Sequence, residues 1–118
     1  MKYKLINKTK NNVIVENIIL ADNFWTRMCG LMGKKELKNN EGLLLKPCNA
    51  VHMMFMRFPI DVIFLDKEFM VVKIIDNLRP WCTSPIVRDA FHVVELGAGI
   101  TAQKRINIGD KLSLYREK

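Results

Sequence analysis

"IDVIFLDKEFMVVKIID", residues 60–76, is the stretch that decides the fold. Successive side chains of a strand point to opposite faces, so Asp61, Ile63 and Leu65 share one face and Val62, Phe64 and Asp66 the other. "KE" makes a tight turn into "FMVVKIID", and the whole predicts a hairpin of two strongly apolar strands. Just upstream, "HMMFMRF" alternates in the same way, with His52, Met54 and Met56 on one face and Met53, Phe55 and Arg57 on the other. Pro59 has no backbone donor and should break the ladder between Arg57 and Asp61.

Working outward, residues 3–7 and 13–19 read as two short strands around the polar turn "KTKNN". "ADNFWTRMCG" reads as a short helix, capped at its start by Asp22 and ended by Gly30. "LLLKP", "AVHMMFM" and "FHVVEL" read as strands, "GAGITAQKRI" as a short helix or turn, and "NIGDKLSLYR" as a turn and closing strand. "NLRPWCTSPIVRDA", with two prolines and no period, reads as a long loop. Strands do not alternate with helices, so the pattern predicts a mainly β, antiparallel sandwich or barrel with one or two short helices. No repeat, linker or low-complexity segment divides the chain, and residues 1–118 read as a single domain.

Hydrophobic residues make up 49% and charged residues 26%, the balance of a globular domain. No apolar run approaches the roughly 18 residues of a membrane span. The opening "MKYKLINKTKNN" lacks the apolar core of a signal peptide, which sets a cytoplasmic expectation. Cys29, Cys48 and Cys82 are widely spaced and form no CxxC pair, so reduced thiols are expected rather than a disulfide framework. The formal charge of +7 comes from 19 Lys plus Arg against 12 Asp plus Glu. The lysines are spread along the chain and no recognition helix or ribonucleoprotein motif accompanies them, which argues against nucleic acid as a partner.

Charges set among hydrophobes need partners. Arg57 and Asp61 either tie strands together, with Glu95 as the other carboxylate open to Arg57, or present a fork and an acid to a ligand carboxylate or phosphate. Glu95, between β-branched residues and a glycine-rich turn, is expected to staple that turn by hydrogen bonds; the other reading is a catalytic base. Arg79 and Trp81 sit in the loop, where they either clamp a flat or anionic ligand or cap the end of the barrel. Cys48, His52, Cys82 and His92 match no compact metal spacing, and no acyl-transfer motif surrounds either cysteine. No metal or cofactor is expected.

The order "FWTRMCGLMGKKEL", "EGLLL", "HMMFMRFPIDVIFLD", "VVELGAG" and "IGDKL" resembles the domain of unknown function 192 family, DUF192 or UPF0127, over residues 24–112. Its R-x-x-G-L-M block is matched by Arg27, Gly30, Leu31 and Met32, and its P-[IL]-D-[VI]-x-F-[LI] block by residues 59–65. The resemblance implies a small, jelly-roll-like β sandwich and supplies no catalytic residue. The leading expectation is a binding module for a small anionic ligand or peptide, at Arg57, Asp61, Arg79, Trp81 and Glu95. The competing classes are a hydrolase or a thiol- or metal-dependent enzyme using His52 with Cys48 or Cys82, and an interaction subunit with no small ligand.

Overall fold

The computed structural model describes residues 2–21, 37–48, 50 and 58–117. The expected helix over residues 21–30 lies almost wholly outside these, and the strand expected over "AVHMMFM" lies outside them but for its first residue. So do His52, Arg57 and the block from Arg27 to Met32.

The described chain is mainly β. Its strands are β1 (Lys2–Asn7), β2 (Asn12–Ala21), β3 (Glu41–Leu45), β4 (Ile60–Leu65), β5 (Val71–Leu78), β6 (His92–Gly97) and β7 (Leu112–Glu117), with one short helix, α1 (Ile100–Gln103). They form one seven-stranded sheet in the order β5-β4-β6-β3-β2-β1-β7. The hairpins expected from sequence are present as β1–β2 and β4–β5, both antiparallel. One pair departs from the antiparallel expectation: β2 and β3 run parallel, from Asn17 opposite Glu41 to Ala21 opposite Leu45. A parallel neighbour needs a long crossover, and residues 22–40 supply the length.

The sheet curls until its two edge strands meet at one end. Met70 bridges Lys111, the Val71 N–H donates to the Asp110 carbonyl at 2.9 Å, and the Leu112 N–H donates to the Phe69 carbonyl at 2.9 Å. Continuous pairing thus produces a half-barrel, where the sequence pattern allowed a sandwich or a barrel.

The curl explains why β4 and β6 are buried along their whole length. Their concave faces, Ile63 and Leu65 on β4 and Val94 and Leu96 on β6, join a cluster to which all seven strands contribute, from Leu5 on β1 to Leu112 on β7. Their convex faces, Ile60, Val62, Phe64 and Val93, pack with Leu43, Leu45 and Leu78 in a second cluster. The crossover from β5 to β6 lies over that convex face, where Val87 and Ala90 pack against it.

Candidate functional site

Asp61 lies on the concave face and is completely buried. A register shift between Ile60 and Val62 places Asp76 and Asn77 together opposite it, and Asn77 takes the left-handed conformation at φ 52°. Asparagine tolerates that region better than most residues. The bulge leaves the Asn77 N–H without a ladder partner, and Asp61 Oδ1 accepts it at 2.9 Å. Asp61 Oδ2 accepts the N–H groups of Gly99 and Thr101, each at 3.0 Å, and the Thr101 hydroxyl lies 2.7 Å away. A carboxylate so supplied with donors is a staple between the bulge and α1. The stapling of the glycine-rich turn, expected of Glu95, is carried out by Asp61.

Glu95 points the other way. It pairs with Leu43 on β3 and Val62 on β4, which puts its side chain on the convex face between two apolar residues. It is 8% exposed. Among the described residues no donor reaches its carboxyl group. Burial raises its pKa from 4.5 to about 7, because the charged form loses its water.

Arg79 and Trp81 belong to the crossover that covers this same face, and both are exposed. Trp81 is 62% exposed and sits at φ 69°, a left-handed conformation strained for a bulky side chain. The Cys82 N–H closes the turn on the Arg79 carbonyl at 3.1 Å. Of the candidate residues, the fold therefore brings Glu95 and the 79–81 turn to one side of the sheet and sends Asp61 to the other. Arg57 lies outside the described residues.

Cys48 packs against the convex cluster, and its thiol donates to the Ala50 carbonyl at 3.1 Å; Cys82 is exposed. Among the described residues no three His, Cys, Asp or Glu side chains converge on a metal position. His92 begins β6 on the concave side, edge-on to Phe69 at 4.4 Å and Phe91 at 5.0 Å between ring centroids. Its Nδ1 is buried with no partner among the described residues. Burial first, and the nearby Lys46 charge second, hold its pKa below the ordinary value, against weaker opposing effects of Asp66 and the Lys67 backbone.

Sequence reasoning missed the groups around α1. A cavity of about 510 Å³ opens between Ile74 and Asp76 on β5, Thr101 on α1, and residues 106–108. Its only signal in the sequence was Asp76 at the end of an apolar strand.

A family model for DUF192 (Uncharacterized ACR, COG1430) matches residues 5–114. The chain belongs to the DUF192 family. A UPF0127 protein of Pyrococcus furiosus is 34% identical to this DUF192 chain over 117 residues, covering 95% of it and 98% of the relative. A UPF0127 protein of Thermococcus sibiricus is 34% identical over 113 residues, covering 92% of this chain and 72% of the relative. The crystal structure of a Novosphingobium aromaticivorans protein of unknown function superposes with a TM-score of 0.81 at 25% identity, covering 94% of this DUF192 chain and 82% of the other. None of these names states an activity. Among the described residues of this DUF192 chain, no helix is long and apolar enough to cross a membrane.

Proposed function

We propose that this chain is a binding module that holds a small anionic ligand, or the carboxylate of a peptide segment, on the convex face at Glu95, with Arg79 and Trp81 of the crossover beside it. The observation that carries this reading is Glu95 itself. Among the described residues no donor reaches this buried carboxyl group, an arrangement unfavourable for folding, and strongly shifted groups of this kind concentrate at functional sites. A carboxyl whose pKa burial pushes up to about 7 keeps a protonated fraction at neutrality. Its O–H can then donate to a carboxylate or phosphate oxygen, which an ionised glutamate would repel. Arg79 offers the positive charge and Trp81 a flat surface for the body of the ligand.

A thermal-shift series with succinate, citrate and inorganic phosphate tests the reading. A ligand at a hundredfold excess over its Kd stabilises by about 2.7 kcal/mol, roughly 10 °C for a chain of this size. The shift should be larger at pH 6 than at pH 8, and should fall away in Glu95→Ala and Arg79→Ala. Equal shifts in parent and both variants would remove the site.

A second reading rests on the same carboxyl. A group poised near pH 7 suits general acid–base catalysis, which makes an enzyme the alternative class. Glu95→Gln separates the two. Glutamine keeps a hydrogen-bond donor, so a binding module retains its ligand, whereas a general base loses its turnover.

A further inference from the structure

We propose that the open seam of the half-barrel is a second binding site, one that takes a primary ammonium group carried on an aliphatic chain. Among the described residues, the sheet closes on itself around Met70 and Lys111. Away from that closure, the free side of β5 and the segment leading into β7 stay apart, and the cavity of about 510 Å³ lies between them. Ligand sites commonly have volumes of about 300–1,000 Å³ and a few polar groups that converge; this one is an open depression, with Asp76 and Ile108 exposed at its rim. Here the walls are Ile74, Ala102, Ile106 and Ile108, and the polar groups are Asp76, Thr101 and Asn107.

Charge selects the ligand. Among the described residues, Asp76 is the only charged side chain that lines the cavity, although the chain as a whole carries a net charge of +7. Behind it, the buried Asp61 reinforces the negative potential. Thr101 Oγ1 lies 2.7 Å from Asp61 Oδ2 and 2.8 Å from Asp76 Oδ1. A hydroxyl has a single hydrogen and can donate to only one of these oxygens. The other close contact brings two lone-pair-bearing oxygens together, with the negative charge of Asp76 facing the cavity. An ammonium group seated against Asp76 supplies the missing positive charge and has three donors for it. The isoleucines around it would cover three or four methylene groups of the chain that carries it. The cavity is separate from the convex face, which lies across the sheet, so this site stands or falls independently of Glu95.

Amide spectra recorded during titration with n-butylammonium chloride test the assignment, with n-butanol and potassium chloride in parallel. Saturable shifts confined to Thr101, Ala102 and Asn107 are expected with the ammonium and not with the alcohol. Asp76→Asn should weaken the response at least tenfold while leaving the rest of the spectrum folded, and Ile108→Ser should weaken it severalfold. Equal shifts with n-butanol, or an undiminished response in Asp76→Asn, would overturn the proposal. So would shifts that do not saturate or that scatter over the surface. Cadaverine and Nα-acetyl-lysine methylamide as further probes distinguish a free amine from a lysine side chain as the source of the ammonium; tighter binding by either supports the site.

Discussion

Glu95 and His92 lie three positions apart on β6, on opposite faces, and they pull the stability of the domain in opposite directions with pH. The folded Glu95 carboxyl titrates near 7 and the unfolded one near 4.5. Between these values the folded state binds more protons, so stability contributed by the neutral carboxyl is present in acid and is lost as the pH rises towards 7. At about 1.4 kcal/mol per pH unit, the loss is roughly 3 kcal/mol by pH 8. Glu95→Gln should remove this slope, matching the parent at pH 5 and exceeding it by about 3 kcal/mol at pH 8 in urea melts. A parent whose stability stays level from pH 5 to 8 would contradict this. His92 is shifted downwards, so its folded form resists protonation and stability falls as the pH drops below 6.5. His92→Phe, which keeps an aromatic ring between Phe69 and Phe91, should reduce the loss on the acid side and leave the alkaline side unchanged. Sequence alone located Glu95 as a group needing explanation but assigned it the bonds to the glycine-rich turn that Asp61 makes. Which face a strand residue meets, and what covers that face, depends on strands far away in the chain.

At the scale of elements, Asp61 holds two irregular pieces of backbone that the sheet ladder cannot satisfy: the bulge at Asn77 and the entry to α1. Its sequence setting gave a charge among hydrophobes that needed partners, and that much was legible. The partners were not legible, because the N–H groups of Asn77, Gly99 and Thr101 become available only through a register shift and a turn that the fold creates. Asp61→Ala should strand all three donors, at about 1–3 kcal/mol for each group that stays dry, and melt the domain at moderate temperature. Asp61→Asn keeps an acceptor and should lose less. Far-ultraviolet circular dichroism melts of the two variants measure the difference, and similar losses for both would mean that charge, not the number of acceptors, matters here. The parallel pairing of β2 with β3 was equally hidden. Gly42 gives one trace of it: a Cβ there would come within 2.8 Å of both Ile18 Cδ1 on β2 and Leu96 Cδ2 on β6. In the fold this glycine lets three strands approach.

For the whole molecule, the alternating apolar runs made a β fold legible, but they could not show whether the sheet would split in two or curl on itself. The curl depends on how its ends are fastened. Asp110 Oδ2 accepts the Asn7 amide and the Lys10 ammonium, each at 2.8 Å, and the Asn107 N–H at 3.0 Å, while the Asp110 carbonyl receives the Val71 N–H. Burial alone would raise the pKa of this carboxyl, yet the bonds from Lys10, Asn7 and Asn107 outweigh it and hold the pKa below the ordinary value. These residues come from opposite ends of the chain and meet where β5 and β7 touch, so they act as the fastening of the half-barrel. Central strands and a peripheral latch should open with different free energies. Asp110→Ala should therefore speed amide exchange at Val71 and Leu112 by tenfold or more while leaving Val62 and Val94 in the central strands nearly unchanged. Hydrogen exchange read residue by residue measures this. If all four amides accelerate together, the closure is inseparable from the core and the half-barrel unfolds as one unit; if only the edge responds, the seam opens by itself with the sheet intact.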